Sequence, residues 1–120
     1  MRYTDEGGWQ EQAGYSRAVR RGSVITVSGT TAEEPGDTAT QTRECLTRVL
    51  AAVCALGGTA GDVVRTVVYL APGASWEDAA HVHREFFGDV RPASTMLFVA
   101  GLIGGPYLVE VEAMAVVDGA

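Results

Sequence analysis

The feature that most constrains this chain is a strand-like run near its C-terminus, residues 108–117, which carries two glutamates among apolar side chains. Successive residues of a strand point to opposite faces of a sheet, so Glu110 and Glu112 lie on one face and the residues between them on the other. An unpaired carboxylate in an apolar core costs several kcal/mol. The glutamate face is therefore not ordinary core, and it must meet solvent, a partner subunit or a functional site.

Length and composition predict a single globular domain over residues 1–120. Apolar residues make up 47% of the chain and charged residues 20%, which is ordinary for a soluble protein. No apolar run approaches the ~20 residues of a membrane span, and the N-terminus carries no apolar signal segment. We therefore expect a cytoplasmic location and no membrane partner.

The charged residues exclude several classes of function. The net charge is −6, and the one basic cluster, Arg17, Arg20 and Arg21, is typical of a solvated strand end, so we expect no nucleic-acid partner. All nine basic residues are arginine. Without a lysine the chain cannot form a lysine Schiff base, anchor pyridoxal phosphate or complete a P-loop.

The cysteines and histidines indicate neither a disulfide nor a metal site. Cys45 and Cys54 stand nine residues apart in a predicted helix, which puts them on opposite faces, so they cannot bridge each other. Both are typical of small core or boundary residues in a reducing compartment. His81 and His83 are two residues apart on a second predicted helix, so they do not share a face and we expect no bound metal.

Hydrophobic periodicity predicts the secondary structure. A helix over residues 37–56 is indicated by an apolar stripe at i, i+3, i+4 and i+7, with Asp37 as its N-cap and Gly57 as its stop. Ser75 caps a second helix that ends near Phe87. The predicted strands are residues 15–19, 24–29, 63–70 and two C-terminal runs on either side of a glycine-rich turn.

The predicted order is β-β-α-β-α-β, and the last element can split into two strands. Residues 1–13 are expected to form a loop or a short edge strand. Two helices can cover only one face of such a sheet. The other face mixes apolar residues with Thr26, Ser28, Glu110 and Glu112. A mixed face of this kind favours a subunit interface, so we expect an oligomer.

Several short motifs follow one another in a specific order along the chain. They are Gly-Tyr-Ser-Arg-Ala-Val at 14–19, Val-Ser-Gly at 27–29, the helix start at 37–42, Gly-Gly at 57–58, the strand at 62–69, Phe-Phe at 86–87, Pro-Ala-Ser-Thr at 92–95 and Val-Glu-Val-Glu-Ala at 109–113. Taken together, over about residues 9–117, the chain resembles the Rid family, the YjgF-type reactive-intermediate deaminases.

This resemblance implies an α/β (α+β) chain with the chorismate-mutase-like fold, in which a mixed sheet carries two helices on one face. It implies a homotrimer whose sheets form an inner barrel, with a cleft at each subunit interface. The reaction it implies is the cofactor-free hydrolysis of enamines and imines derived from amino acids, which releases ammonia and a keto acid. The expected partners are a small-molecule substrate and further copies of the chain.

The resemblance also assigns roles to individual residues. Glu110 matches the glutamate that orients the attacking water, and Tyr15 matches a tyrosine of the cleft. The residues expected to contact the substrate are Ser28, Gly29 and Thr30 of the Ser-Gly turn, Ala93, Ser94 and Thr95 of the Pro-Ala turn, and Arg17.

The main departure from the family pattern is at Ser94. Family members carry an arginine at this position, and it binds the substrate carboxylate in bidentate fashion. Three alternatives follow: Arg17 or Arg91 swings into the cleft to replace it, the Ser94 and Thr95 hydroxyls bind a neutral polar substrate, or the site has lost its anion anchor.

Three functions are compatible with these residues. The first is an imine or enamine hydrolase with non-standard substrate recognition, in which Glu110 is the general base and Tyr15 assists. The second is a pathway-specific tailoring enzyme that uses the same carboxylate for tautomerisation, cyclisation or dehydration. The third is a non-catalytic trimer that binds a small molecule.

Overall fold

The structure is a computed structural model that describes residues 1–5 and 8–118. That part of the chain contains six strands, which form a single mixed sheet, and three α-helices. A short 3₁₀ turn lies at Ala60–Asp62. The elements are β1 (Arg2–Tyr3), α1 (Gly8–Ala13), β2 (Ala18–Arg21), β3 (Val24–Thr31), α2 (Thr38–Ala55), β4 (Val63–Leu70), α3 (Trp76–Phe87), β5 (Ala93–Phe98) and β6 (Val109–Val116).

The last strand, β6, lies inside the sheet and has two faces of different character. The strand order is β1-β2-β3-β6-β4-β5, with β4 and β5 parallel and the other neighbours antiparallel. Val109, Val111 and Ala115 are fully buried in the core that α2 and α3 cover, whereas Glu110 and Glu112 on the other face are half-buried. The predicted α/β (α+β) sheet with two helices on one face is confirmed.

The long helix α2 forms where the periodicity predicts it. Asp37 caps its N-terminus by accepting a hydrogen bond from the Thr40 N–H at 2.8 Å, and Gly57 follows its C-cap with a φ of 91°. Its apolar stripe is fully buried at Leu46, Val49 and Val53. In the described part of the chain no helix, including this one of 18 residues, is long and apolar enough to cross a membrane.

The predicted faces of the cysteines and histidines are confirmed. Cys45 is buried, Cys54 is exposed, and both are free thiols. Burial raises the pKa of Cys45 to about 12, so its thiol is not reactive at neutral pH. On α3, His81 is exposed, whereas His83 is half-buried.

The short edge strand predicted within residues 1–13 is confirmed as β1, but the prediction missed α1. The described part of this range contains the edge strand β1 and the helix α1, while residues 6 and 7 lie outside it. The helix is too short to show a periodic stripe, and it is fixed by hydrogen bonds instead. Gln10 Nε2 donates to Asp5 Oδ1 at 2.6 Å, and the Gln10 carbonyl accepts from the Tyr15 N–H at 2.9 Å. This turn also delays the next strand, which begins at Ala18 rather than at Tyr15.

Gln41 is expected to stabilise the fold by tying α2 to the start of β6. Its Nε2 donates to the Gly36 carbonyl at 3.0 Å, and its Oε1 accepts from the Leu108 N–H at 2.8 Å. Gln41→Leu keeps the volume but leaves both backbone groups unpaired, so we expect a loss of roughly 2 kcal/mol in the free energy of unfolding. Urea denaturation measures the loss. The exposed Gln12→Leu is the control, and an equal loss in both variants would contradict this role for Gln41.

Candidate functional site

The glutamate face of the sheet opens into a cleft of about 780 Å³. Strands β3, β4 and β6 form its floor, and α1 and the loop between β5 and β6 form its walls. Of the residues predicted for the site, the structure brings together Tyr15, Arg17, Gly29 and Glu110.

Glu110 presents an unpaired carboxylate to this cleft. Its side chain is half-buried, and it accepts no hydrogen bond from the described residues. Gly29 lies directly against it, since a Cβ at this position would be only 2.8 Å from Glu110 Oε2. Burial raises the pKa of Glu110, the positive charge of Arg17 opposes the rise, and Glu112 adds to it. A carboxylate that is open to ligand and whose pKa is raised suits a general base.

Arg17 stabilises a bulge in β3 through Nη1, and its second amino group, Nη2, takes no part in that contact. The pairing of β3 with β6 shifts between Val27 and Thr30. At this bulge, Arg17 Nη1 donates to the Gly29 carbonyl at 2.6 Å and to Thr30 Oγ1 at 3.0 Å, while Nε contacts Asp5 Oδ1 at 3.4 Å. Nη2 has no partner in the described part of the chain. Since no fully buried polar side-chain atom there lacks a partner, Nη2 keeps some exposure, and Arg17 is one of the residues that line the cleft.

Arg17 and Glu110 face the same cleft without forming an ion pair. No nitrogen of the guanidinium lies within 4.0 Å of a Glu110 carboxylate oxygen, although the two charges are close enough to affect the pKa of Glu110. The Glu110 carboxylate and the unused Nη2 donor of Arg17, whose Nε is paired with Asp5, can each bind one end of a polar ligand. The arrangement therefore provides one acid–base group and one cationic anchor.

Aromatic residues shape the mouth of the cleft. The Tyr15 ring centroid lies 5.7 Å from Arg17 Cζ, which is cation–π distance. Trp9 of α1 packs on the backbone of Gly104, where a Cβ would lie 3.0 Å from the indole ring. The contact joins α1 to the β5–β6 loop, so the helix that the sequence did not predict forms part of the site.

The sequence did not single out Tyr69 or Arg48, which also line the cleft. Tyr69 lies opposite Glu110 in the pairing of β4 with β6, and its hydroxyl donates to Glu112 Oε1. This hydrogen bond raises the pKa of Tyr69. Arg48 comes from α2, and its donors are bound to the Thr31 carbonyl at 2.6 Å and to an Asp5 carboxylate oxygen at 2.8 Å. Strand register and helix packing bring in both residues, and neither is visible in the sequence.

Ser28 and Thr30, whose contact with substrate stays a prediction, donate hydrogen bonds to backbone carbonyls. Ser28 Oγ donates to the Ser16 carbonyl at 2.7 Å, and the buried Thr30 Oγ1 donates to the Ser28 carbonyl at 2.8 Å. Neither is among the described residues that line the cleft. In this structure they shape the bulge that presents Gly29.

The Pro-Ala turn lies outside the cleft of its own chain. Ala93, Ser94 and Thr95 are on β5, which β4 separates from β6. Their predicted contact with substrate stays a prediction that requires a second subunit. Arg91 is exposed, has a φ of 54° and donates to the Gly88 carbonyl at 3.3 Å. Of the two alternative arginines, only Arg17 therefore reaches the cleft of its own chain.

Known proteins resemble this chain over nearly its whole length. A family model described as Endoribonuclease L-PSP matches residues 9–117. The crystal structure of Rv2704 from Mycobacterium tuberculosis, a member of the YjgF/YER057c/UK114 family, superposes with a TM-score of 0.92, at 39% identity and with 98% of each chain covered. A RutC family protein of Pyrococcus horikoshii is 31% identical over 108 residues, which are 84% of this chain and 85% of that protein.

A structure of E. coli TdcF with bound serine also matches, with a TM-score of 0.80, 27% identity and coverage of 96% of this chain and 92% of that one. A mixed sheet with helices packed against it is thus shared by a class of small α+β proteins. The chain belongs to the Endoribonuclease L-PSP family, whose members include the YjgF proteins, and the resemblance seen in the sequence is confirmed.

The contact between Gly29 and Glu110 predicts a cost for any side chain at position 29. In Gly29→Ala the new methyl group collides with the end of the flexible Glu110 side chain, which must turn away, so we expect a loss of roughly 0.5–1.5 kcal/mol in the free energy of unfolding. Adding Glu110→Ala should recover most of the loss, because it removes the colliding group. Thermal denaturation of the four proteins of this cycle measures the coupling. Gly61→Ala, where a Cβ has ordinary contacts, is the control.

The raised pKa of Glu110 predicts how stability depends on pH. The folded chain binds this proton more tightly than the unfolded chain, so the free energy of unfolding falls as pH rises from the ordinary glutamate pKa through the raised one. Glu110→Gln removes this dependence. We expect the variant to be more stable than the wild type at pH 7 and equally stable in acid. Urea denaturation across this pH range measures both, and a variant less stable at pH 7 would contradict the prediction.

Proposed function

We propose that this protein is a cofactor-free hydrolase that removes ammonia from an imine or enamine, with Glu110 as its general base. The observation that carries the proposal is the Glu110 carboxylate, half-buried and without a hydrogen-bond donor among the described residues, in a cleft of about 780 Å³. Its raised pKa suits a group that both takes and returns a proton. Glu112, on the same strand face, is bound to Tyr69 and is not available for this role.

The proposed reaction needs one water and one proton shuttle. An enamine first becomes its imine when a proton moves from nitrogen to carbon. Glu110 then takes a proton from water as the water oxygen bonds to the imine carbon, and it returns that proton to the nitrogen. The hydroxyl proton of the resulting amino alcohol then moves to the nitrogen, and a carbonyl forms as the carbon–nitrogen bond breaks and ammonia leaves. No electrons are gained or lost, so the reaction requires no redox cofactor. Tyr15 assists from the cleft mouth.

Arg17 is the proposed anchor for the polar end of the substrate. Its Nη2 keeps some exposure, whereas its other donors are held by the β3 bulge and by Asp5. The family resemblance implies an arginine where this chain has Ser94, so recognition here would rest instead on one contact from Arg17, the residue just before β2. The bound serine in the E. coli TdcF structure supports a ligand the size of an amino acid for this cleft.

We also propose that the chain works as a homotrimer with the cleft at its subunit interfaces. The edge strand β5 exposes apolar side chains, with Phe98 55% and Leu97 38% exposed, and Ile103 beside the cleft is 86% exposed. An apolar edge of this kind is normally covered by a partner. In such an assembly, Ser94 and Thr95 of one subunit would approach the cleft of another.

The charge of this chain favours a small substrate over RNA. The net charge is −6, and the chain has no lysine. Glu33 and Glu110 line the cleft together with Arg17 and Arg48. A phosphate backbone requires clustered, unpaired cations, which this mixture does not offer.

Glu110→Gln tests the proposed general base, because it removes the proton acceptor and keeps the shape of the side chain. We expect turnover to fall by roughly 10²–10⁴-fold. The assay is ammonia release from an imine that is generated in solution by oxidation of an amino acid, corrected for the uncatalysed rate. Unchanged turnover in the variant would rule out this role for Glu110.

Glu112→Gln is the matched control, since it makes the same chemical change on the same strand face. We expect a much smaller loss of turnover and an unchanged oligomer by light scattering. Conversion of the imine to a rearranged product without ammonia would favour a tailoring enzyme. Stabilisation by ligand without any turnover would favour a binding protein.

A further inference from the structure

The carboxylate of Asp5, which follows β1, bridges two arginines that line the cleft. Its Oδ1 lies 3.4 Å from Arg17 Nε and also accepts a hydrogen bond from Gln10 Nε2 at 2.6 Å. Its Oδ2 accepts from Arg48 Nη2 at 2.8 Å. Asp5 and Arg17 are largely buried, with 17% and 6% of their side chains exposed. One carboxylate therefore links α1, the residue before β2 and the helix α2.

Arg17 and Glu110 carry opposite charges and contact the same glycine, yet they form no ion pair. Arg17 Nη1 donates to the Gly29 carbonyl at 2.6 Å, and a Cβ on Gly29 would lie 2.8 Å from Glu110 Oε2. Opposite charges this close in a partly buried site attract each other strongly. A further contact must therefore hold the guanidinium away from the Glu110 carboxylate.

The charges around Asp5 supply this restraint. The oxygens of β3 that bind Arg17 Nη1 are neutral, so they fix its position but do not balance its charge. Asp5 pairs with both Arg17 and Arg48, and Glu33 lies 3.6 Å from Arg48 Nε. Two carboxylates therefore balance two guanidinium groups within this cluster. Arg17 needs no charge from Glu110 as long as Asp5 is ionised.

We propose that Asp5 is a positioning residue that holds the Arg17 guanidinium away from Glu110 and so keeps the Glu110 carboxylate free to take a proton from water. This role rests on the proposed hydrolase function. Asp5 is not among the described residues that line the cleft, so it acts through Arg17. Burial raises the pKa of Asp5, but hydrogen bonds from Arg48 and Gln10 and the charges of both arginines bring it below its ordinary value. Because the pKa of Glu110 is raised, Asp5 stays ionised over the range in which Glu110 titrates.

Asp5→Asn tests this role, because it removes the charge and keeps the shape of the side chain. We expect Arg17 to turn and pair with Glu110, which lowers the pKa of Glu110. Turnover should fall roughly tenfold, less than in Glu110→Gln, because the base is present but mostly paired.

The pKa of Glu110 is measured without substrate, by NMR titration of protein with ¹³C-labelled glutamate side chains. The spectrum of Glu110→Gln identifies the resonance. Asp78→Asn makes the same chemical change at an exposed position, and we expect it to leave both the pKa and turnover unchanged. A pKa of Glu110 that does not fall in Asp5→Asn would overturn the proposal.

A double-mutant cycle separates positioning from a direct or a merely structural effect of Asp5. In an Arg17→Gln background no guanidinium can move to Glu110, so Asp5→Asn should leave the pKa of Glu110 nearly unchanged. An equal fall in both backgrounds would overturn the proposal. Should Arg17→Gln fail to fold, the Arg17 Nε–H resonance of Asp5→Asn decides. We expect it to shift further than in the wild type as Glu110 titrates, and an equal shift would contradict the proposed movement.

The other titratable groups near Glu110 are the same in both backgrounds, so their effects cancel in the cycle. They are Glu112 on β6, Tyr69 on β4, Cys45 and Arg48 on α2, and Tyr15, Glu33 and Tyr107 in the adjoining loops. Because the titration requires no substrate, an inactive wild-type protein would sink the hydrolase assignment alone. The pKa of Glu110 in the four proteins of the cycle would still decide the role of Asp5.

Discussion

The alternation of side chains along β6 is the constraint on which the rest of this structure depends. The strand pairs with β3 on one edge and β4 on the other, so its backbone is fixed on both sides. Its apolar residues form the floor of the core, and its two glutamates form the floor of the cleft. A slip of one residue would exchange the faces and bury both carboxylates in the core. Burial of Val109 and Val111 therefore also places Glu110.

Arg17 connects this framework to the chemistry of the cleft. Its buried guanidinium satisfies backbone and hydroxyl oxygens at the β3 bulge, and the bulge brings Gly29 against Glu110. The Glu110 carboxylate is therefore partly desolvated but not paired. Its burial raises its pKa and lowers the free energy of unfolding at neutral pH. A local loss of stability of this kind is typical of functional sites, where a polar group stays unpaired so that it can bind a ligand.

Much of the fold follows from local sequence signals, and the exceptions have physical reasons. The helices α2 and α3 and the strand β4 have strong periodicity, caps and stops, and their predicted bounds are confirmed to within a residue or two. The helix α1 was missed, since it buries only Gln10 and depends on hydrogen bonds to Asp5. The cleft was predicted in part, because family resemblance indicates Tyr15 and Glu110 but not Tyr69, which arrives through the register of β4 with β6.

The sequence by itself determined that one face of the last strand carries two carboxylates, that the chain has no lysine chemistry and that it resembles the YjgF proteins. Only the tertiary structure decided which glutamate is free. The cross-strand register brings the Tyr69 hydroxyl to Glu112 and leaves Glu110 without a partner among the described residues. It also placed Arg17, rather than Arg91, in the cleft of its own chain. Both outcomes depend on contacts between residues far apart in the chain, which packing fixes and local sequence patterns do not record.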